Sequence, residues 1–435
     1  MTTIAIQGRD QLCETPAKAR PLTLFDGTLD RLGSASSVDE DGKQQHDQWR
    51  IALYYYYVDI ENIAEHIDFH KQKCEALGYL QGRIRISSEG INGVLSGLYE
   101  SLLSYESSLK EELKRISGNS ACDDLDVKYC RLRTDLSIES QLFDSLIVKE
   151  TSHVIVLFES EDNAGPSQTS NRRSKQSNRR RRRKEQRKKL QNQQADPTEL
   201  SLDLSPEQMM NYQPAPHLTA DEWNARLEAY ASSPDNPALL MDVRNIYESR
   251  VGHFSVPHVP TMLTNTRKYS DLPRMLATNK EWQGKDEIFM YCTGGVRCER
   301  VSMFLQSLYP NKSFYQLRGG IQTYLKDSNK SEFYKGKNFV FDPRRTDPVH
   351  FGTTVGKCLV CHGDHDDYDN GHAPSENKEA RCNTCRMLIL VCNLCRSKYQ
   401  CWGEIEKEGG QPLPLLYCGK DSCHHEGADP EPEFV

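Results

Sequence analysis

A cysteine stands in a glycine-rich loop between a strand pattern and a helix pattern, within the string YCTGGVRCER at residues 291–300. An apolar run precedes Cys292 and apolar residues at helical spacing follow the loop, so the cysteine lies where a strand passes into a helix. Gly294 and Gly295 allow backbone N–H groups to converge on one point, and the helix N-terminus adds partial positive charge there. Arg297 and Arg300 add formal charge. This setting favours thiolate over thiol, and it predicts that Cys292 is a nucleophile.

The rest of the loop is predicted to support this nucleophile, through Thr293, Gly294, Gly295, Val296, Arg297 and Cys298. A buried apolar cysteine is the simplest alternative, but the flanking glycines and arginines argue against it. A redox pair of Cys292 and Cys298 stays open, although their spacing is wider than Cys-x-x-Cys and a disulfide would need the loop to bend. A cysteine phosphatase needs an arginine at the position that Cys298 occupies, and Arg297 falls one residue short.

Length and composition indicate several domains with unstructured connections. The 435 residues predict two to four domains, and a mean hydropathy of −0.70 with 37% hydrophobic residues is low for one compact enzyme. Residues 1–48 and 161–211 are therefore predicted to be disordered. No run approaches the roughly 18 apolar residues of a membrane span, and the N-terminus lacks an apolar signal core. We expect no membrane partner and a cytosolic or nuclear location.

The linker at 161–211 contains a strongly basic run, Arg172–Lys189. It carries twelve Lys/Arg and one Glu, a local charge of +11, which leaves −18 for the remainder of a chain whose net charge is −7. A cationic arm on an acidic body binds RNA or an import receptor through charge, unless it is merely a solvated spacer.

The hydrophobic pattern between residues 49 and 160 predicts a ferredoxin-like α+β domain. Strands at 51–58, 83–86, 94–95 and 127–132 with helices at 62–77 and 98–116 follow a β-α-β-β-α-β order, and a further strand is predicted at 154–158. Residues 212–345 alternate helical patterns with strands at 239–243, 288–291 and 314–317, which indicates a parallel α/β sheet. Working sites of such sheets lie at the carboxyl ends of strands, where Cys292 falls. The fold class is thus α/β multidomain.

These segments resemble a known family. The loop around Cys292 is similar to that of rhodanese domains, in the wording of the subgroup that includes bacterial tRNA uridine hydroxylases. Further matching segments are LLMDVRN at 239–245, QLRGGI at 316–321, SEGING at 88–93 and FVFD at 339–342. The Asp242-x-Arg244 turn is expected to support the loop by local hydrogen bonds, with direct substrate contact as the alternative. Glu89 and Asn92 are read as turn residues, with RNA contact left open.

The resemblance implies an enzyme in which Cys292 is required for oxygen-dependent conversion of a wobble uridine of tRNA to 5-hydroxyuridine. Generic loop chemistry implies instead a sulfurtransferase, in which Cys292 takes sulfur from a donor and carries a persulfide. A non-enzymatic RNA-binding or scaffold module is the third reading. Expected partners are accordingly tRNA or another RNA and a sulfur donor.

The C-terminal part, residues 350–425, is predicted to bind metal and is followed by an acidic tail at 426–435. Nine of the fifteen cysteines lie between Cys358 and Cys423, mostly as Cys-x-x-Cys. Taken in order they form two four-thiolate sets suited to two structural Zn²⁺ ions: Cys358, Cys361, Cys382 and Cys385, then Cys392, Cys395, Cys418 and Cys423. An exchange of pairs between the sets and an iron–sulfur cluster remain alternatives. The apolar run 387–391 between the sets is predicted to be a core strand.

Overall fold

The computed structural model describes residues 43–118, 125–134, 136–157, 212–327, 333–347, 353–368, 380–382 and 385–397. The predictions for residues 1–42, the basic linker, Cys418, Cys423 and the acidic tail lie outside these residues. Residues 43–48, the end of the segment predicted to be disordered, form a short helix. None of the described helices is long and apolar enough to cross a bilayer. Both folded domains belong to one compact unit, Gln45–Val435.

The N-terminal domain is a five-stranded sheet with two long helices on one face, as the ferredoxin-like pattern predicts. The strand order is β4-β1-β3-β2-β5, with β2 and β5 parallel and the other neighbours antiparallel. Its elements are α1 (Lys43–Gln48), β1 (Trp49–Tyr57), α2 (Ile63–Ala76), β2 (Leu80–Ser87), β3 (Gly90–Leu98), α3 (Tyr99–Ser117), β4 (Lys128–Arg131), α4 (Ile138–Gln141) and β5 (Leu146–Glu150).

Strand alternation divides β1 between two faces. Ala52 and Tyr54 point towards α2 and α3, where Tyr54 Oη and Tyr105 Oη are 2.6 Å apart within the core of this domain. Leu53, Tyr55 and Tyr57 consequently point to the opposite face, which the helices leave open.

The prediction of a strand at 154–158 is wrong. The described part of this run forms bends, and the fifth strand is instead Leu146–Glu150. Leu157 is buried and Ile155 packs beside it, but both belong to the core of the second domain. The run is therefore apolar because it packs against another domain.

The second domain contains a parallel five-stranded sheet in the order β6-β11-β10-β7-β9, which confirms the predicted α/β class. The three predicted strands are its centre, and the short β6 and β9 complete the edges. Its elements are β6 (His217–Leu218), α5 (Ala220–Ala231), β7 (Ala238–Asp242), α6 (Ile246–Ser249), β8 (Gly252–Phe254), β9 (Thr261–Leu263), α7 (Leu272–Thr278), β10 (Glu287–Tyr291), α8 (Val296–Leu308), β11 (Ser313–Leu317), α9 (Gly320–Asp327) and β12 (Tyr334–Gly336).

Two apolar clusters cover the two faces of this sheet, one around Trp282 and Phe304 and the other around Trp223 and Phe289. The helix α5 begins with a capping box, in which the Glu222 N–H donates to Thr219 Oγ1 at 3.3 Å and the Thr219 N–H donates to Glu222 Oε2 at 2.8 Å.

The described C-terminal residues pack against the second domain. This part contains β13 (Asn338–Phe339), β14 (Thr346–Asp347) and α10 (Asn393–Ser397). Residues 387–391 are buried as predicted, but they form no strand beyond one isolated bridge between Arg381 and Leu388. Ile389 and Val391 instead share a small core with Ile246 of α6.

Candidate active site and cysteine cluster

Cys292 lies at the carboxyl end of β10, the middle strand of the parallel sheet, and its side chain is fully buried. The loop turns at Gly295, whose φ of 99° is a conformation that glycine adopts without strain. This turn brings the Gly295 N–H to 3.1 Å from Cys292 Sγ, to which it donates a hydrogen bond. The helix α8 begins at the next residue, so its N-terminus points at the sulfur.

The environment of Cys292 holds it as a thiolate. Burial alone would raise the pKa of this thiol. A hydrogen bond from the Cys298 thiol, the charge of Arg297 and the backbone N–H groups of Arg297 and Gly295 outweigh burial and lower the pKa of Cys292 to about 5. Burial, together with the hydrogen bond and charge of Cys292, raises the pKa of Cys298, so the second cysteine keeps its proton.

Arg297 is fixed by a carboxylate that the sequence analysis did not assign to the site. Its Nη1 and Nη2 donate to the two oxygens of Glu248 at 2.6 Å each, and both side chains are buried. Thr293 Oγ1 donates to Glu248 Oε2 at 3.2 Å and accepts from Arg297 Nη2 at 3.2 Å. The loop is thereby tied to α6, and the positive charge beside the thiolate is partly neutralised.

Asp242 and Arg244 form hydrogen bonds to each other within the turn after β7. Asp242 Oδ1 accepts from the backbone N–H and Nε of Arg244 at 3.0 and 2.9 Å, and Oδ2 accepts from Nη2 at 2.7 Å. Arg244 Nη2 also donates to the carbonyl of Gly252 at 2.6 Å. Both side chains are fully buried, so these contacts support the turn. Asp342 and Arg344 repeat the same three distances.

The open face of the N-terminal sheet lies on the glycine loop. Leu53 Cδ2 and Tyr55 Oη are each 3.0 Å from the point that a Cβ would occupy on Gly294 and Gly295, respectively. Tyr57 Oη donates to the carbonyl of Val296 at 3.4 Å. Strand β1 therefore approaches the loop closely and covers the site of Cys292.

Polar contacts hold the two domains together around this covered site. Glu89 Oε2 accepts from Arg300 Nη2, and Glu89 Oε1 accepts from the N–H of Val154 at 2.8 Å. The Arg300 guanidinium also lies over the Tyr57 ring, 4.8 Å from its centroid. On the other side, Arg344 Nη1 donates to the carbonyl of Arg131 at 2.9 Å. Glu89 is therefore an interdomain contact as well as a turn residue. Asn92, which was also read as a turn residue, lies instead within β3.

A cationic row on the open sheet face begins at the covering tyrosine. The register pairs Tyr55 with Asn92, Asn92 with Arg85, and Arg85 with Lys149, so these side chains lie side by side across four strands. Arg83, two residues before Arg85, lies on the same face. Arg83, Arg85 and Lys149 are exposed.

Four cysteines of the C-terminal part meet in a second site. The sulfurs of Cys358, Cys361, Cys392 and Cys395 all lie within 4.8 Å of one another. Those of Cys361 and Cys392 are 3.7 Å apart, and a tetrahedral site with Zn–S bonds of about 2.3 Å places its sulfurs about 3.8 Å apart. The Cys392 N–H also donates to Cys358 Sγ at 3.3 Å. The four side chains fit a tetrahedral metal ion.

This group differs from the set expected by taking the cysteines in order. Cys358 and Cys361 meet Cys392 and Cys395, not Cys382 and Cys385, so the structure has the exchanged arrangement that the sequence left open. The reason is the buried run 387–391, which returns the chain to the first pair: the Leu359 N–H donates to the carbonyl of Leu390 at 2.8 Å.

Comparison with known proteins identifies the family to which this architecture belongs. Residues 49–154 match the family model of the UPF0176 acylphosphatase like domain. A tRNA uridine(34) hydroxylase of Bacillus pumilus is 31% identical to the chain over 70% of this chain and 73% of that protein. The chain belongs to the rhodanese-domain family of the tRNA uridine(34) hydroxylases.

Two further relatives are similar to most of this chain. The tRNA uridine(34) hydroxylase of Shouchella clausii is 29% identical over 77% of this chain and 84% of its own length. Rhodanese-like domain-containing protein 6 of Arabidopsis thaliana is 30% identical over 84% of this chain but only 54% of its own length, so this chain spans about half of that relative.

The structure brings together the predicted loop residues of this rhodanese-family chain around the Cys292 sulfur. Asp242 and Arg244 lie behind the loop as part of its support. Sequence reasoning missed Glu248, Leu53, Tyr55 and the Glu89–Arg300 pair. Only the aromatic run 54–57 gave a signal, because alternation in a strand must point two of its four tyrosines away from the helices.

Proposed function

We propose that this protein hydroxylates carbon 5 of a wobble uridine in tRNA with molecular oxygen, and that Cys292 is the attacking thiolate. The observation that carries this proposal is the position of the N-terminal sheet. Its strand β1 covers the glycine loop with Tyr55, and the same face presents Arg85 and Lys149 in one row. A nucleophile for a base and a surface for phosphates therefore belong to one site.

The chemistry of the loop suits a uracil ring. Carbon 6 of uracil is electrophilic because it is conjugated to the carbonyl at carbon 4, and a thiolate that adds there makes carbon 5 electron-rich. Cys292, with a pKa of about 5, is ionised at neutral pH and needs no separate base for this addition. The N–H groups of the loop and the N-terminus of α8 hold the sulfur while it carries charge.

The cationic row suits the RNA backbone. Adjacent strands are about 4.8 Å apart, so Arg85 and Lys149 lie about 10 and 14 Å from Tyr55 along the row. These spans reach the phosphates one to two nucleotides from a base held at the loop. Phosphate contacts position an RNA without reading its sequence, so the choice of uridine is left to the covered site.

Sulfur transfer is the second candidate. The same N–H groups would stabilise the terminal sulfur of a persulfide on Cys292, and nothing in the loop chemistry opposes it. The cationic row supports an RNA substrate for either chemistry, and the tRNA uridine(34) hydroxylase relatives favour the first candidate.

We also propose that the cysteine cluster holds a structural zinc ion, and that Cys382 and Cys385 form a second site with Cys418 and Cys423. Four thiolates close the coordination sphere, so the ion would stabilise the fold without taking part in the reaction. Its place follows from the core that Cys358 and Cys395 share with Ile246 of α6. The first ion would thereby brace the helix that carries Glu248.

The test is made with the purified full chain, oxygen, a thiol reductant and a tRNA transcript with uridine at position 34. Digestion to nucleosides and mass spectrometry should show 5-hydroxyuridine, which Cys292→Ser should abolish. A parallel reaction with thiosulfate and no oxygen detects sulfur transfer to the RNA. A thiolated uridine in place of 5-hydroxyuridine would overturn the hydroxylase proposal in favour of sulfur transfer. No modified uridine in either reaction would overturn tRNA as the substrate of both.

A further inference from the structure

Hydroxylation of a uridine by oxygen leaves two electrons to be supplied. Inserting one oxygen atom into the C5–H bond takes two electrons from the base, whereas reducing O₂ fully to the level of hydroxyl and water takes four. The remaining two must come from a reductant. Two thiols that become a disulfide supply two electrons and two protons.

A second thiol touches the nucleophile in this structure. Cys298 lies in the first turn of α8, and side chains of a helix tilt towards its N-terminus, which here is the glycine loop. The backbone places it there, because the Cys298 N–H donates to the carbonyl of Gly295 at 3.0 Å and the Gly295 N–H donates to Cys292 Sγ. The Cys298 thiol donates to the Cys292 thiolate, and both side chains are fully buried.

We propose that Cys298 is a second catalytic residue, which supplies with Cys292 the two electrons of the hydroxylation by forming a Cys292–Cys298 disulfide. This inference rests on the proposed function. An external thiol reductant then restores the pair for the next turnover. The overall change is uridine plus O₂ plus two thiols, giving 5-hydroxyuridine plus a disulfide plus water, in which atoms and electrons balance.

The individual steps balance too. Cys292 adds to carbon 6, and carbon 5 bonds to O₂ to give a hydroperoxide. The sulfur of Cys298 attacks the outer oxygen, so the O–O bond breaks, carbon 5 keeps one oxygen and Cys298 becomes a sulfenic acid. Loss of the carbon 5 proton expels Cys292 from carbon 6 and releases 5-hydroxyuridine. The Cys292 thiolate then attacks the sulfenic sulfur and water leaves.

The buried position of the pair fits this role. Cys298 holds a proton beside a thiolate, so one proton and both sulfurs are present before oxygen reacts. Strand β1 lies against the glycine loop and both cysteines are fully buried. Exclusion of solvent protects a sulfenic acid and a hydroperoxide from side reactions.

The experiment is a single turnover with the full-length protein. The protein is reduced, freed of reductant under nitrogen, and mixed with tRNA in air. We expect no more than one 5-hydroxyuridine per chain and an equal amount of Cys292–Cys298 disulfide, measured by nucleoside and non-reduced peptide mass spectrometry. Added dithiothreitol should permit many turnovers. Equal disulfide formation without tRNA, or product without the disulfide, would contradict the proposal.

Two substitutions separate electron supply from hydrogen bonding. Cys298→Ser keeps a donor to Cys292 but cannot be oxidised, whereas Cys298→Ala removes both properties. We expect each variant to form at least ten-fold less 5-hydroxyuridine than the wild type. Cys292 in Cys298→Ser should still be alkylated at neutral pH. Cys74→Ser, which changes a buried cysteine in the N-terminal core, is the matched control and should keep wild-type turnover.

Each failure has its own signature. Absence of 5-hydroxyuridine from the wild-type protein, with reductant and oxygen present, would overturn the proposed function itself. Wild-type product together with full turnover by Cys298→Ser would overturn only the electron-supply role and leave Cys298 as a hydrogen-bond donor.

Discussion

Glu248 accepts hydrogen bonds from both terminal nitrogens of Arg297 at 2.6 Å, and this pair is buried beside the loop of Cys292. The carboxylate comes from α6 and the guanidinium from the first turn of α8, so one interaction joins the two elements that shape the loop. The arginine next to Cys292 is therefore a fixed part of the loop rather than a free cation.

Removal of this carboxylate should destabilise the domain. Glu248→Gln leaves a buried guanidinium without its counter-charge, and breaking a buried ion pair from one side costs about 3–5 kcal/mol of unfolding free energy. Chemical denaturation followed by tryptophan fluorescence measures this. Glu111→Gln, at an exposed site on α3, is the matched control and should change stability little. Similar small effects for both variants would contradict the structural role of the pair.

The reactivity of Cys292 should depend on pH as expected of a strongly acidic thiol. The thiolate is the reactive form and its fraction rises through the pKa of about 5, so the alkylation rate should be half-maximal near pH 5 and level above neutral pH. The measurement is iodoacetamide labelling of the Cys292 peptide from pH 4 to pH 9. The alkylation rate of an ordinary thiol, with a pKa of about 8.5, would instead keep rising beyond pH 7.

Tyr55 should limit access to the nucleophile. Because its hydroxyl lies against Gly295, Tyr55→Ala removes part of the cover and should speed alkylation of Cys292 several-fold at fixed pH. Tyr212→Ala, which truncates an exposed tyrosine near the start of the second domain, should leave the rate unchanged. Equal rates in wild type and Tyr55→Ala would mean that reagents reach the sulfur by another route.

The cysteine pairing can be read from metal content. In the arrangement seen here Cys361 and Cys392 belong to the same group of four cysteines. The double variant Cys361→Ser/Cys392→Ser should therefore lose about one of the about two proposed zinc ions, as each single variant should. If the cysteines paired in sequence order, the double variant would lose both. Elemental analysis of the purified variants decides between these counts.

The cationic row should contribute to RNA affinity through charge alone. Arg83→Gln/Arg85→Gln should weaken tRNA binding and reduce the slope of log affinity against log salt by about 1–2. Lys71→Gln, which removes an exposed charge from α2, is the control. Filter binding at several salt concentrations gives both quantities, and an unchanged slope in the double arginine variant would remove this face from the RNA-binding surface.

The predicted and observed secondary structures differ most clearly in the N-terminal domain. The helices at 63–76 and 99–117 and the strand at 49–57 were predicted nearly to the residue, because periodicity and caps are encoded locally. The apolar run at 154–157 was misread as a strand because apolar character does not say which core buries it. Leu146–Glu150 was missed because an edge strand with two charged residues has a weak pattern.

The sequence by itself determined the loop in which Cys292 lies. Cys292, the two glycines and the start of α8 are neighbours along the chain, so the turn, the converging N–H groups and the helix N-terminus follow from local rules. It also determined that the C-terminal cysteines come in close pairs, since two residues between cysteines suffice to aim both sulfurs at one ion.

Only the tertiary structure decided which distant groups meet these local units. Glu248 reaches Arg297 across 49 residues, Glu89 reaches Arg300 across 211, and Cys361 finds Cys392 across 31. Many pairings were compatible with the sequence. The chemistry of a charged or thiol side chain specifies which kind of group it can pair with, but not where in the chain that group lies. The packing of β1 on the loop and of residues 387–391 on α6 selected one among them, since burial fixes which side chains share a space.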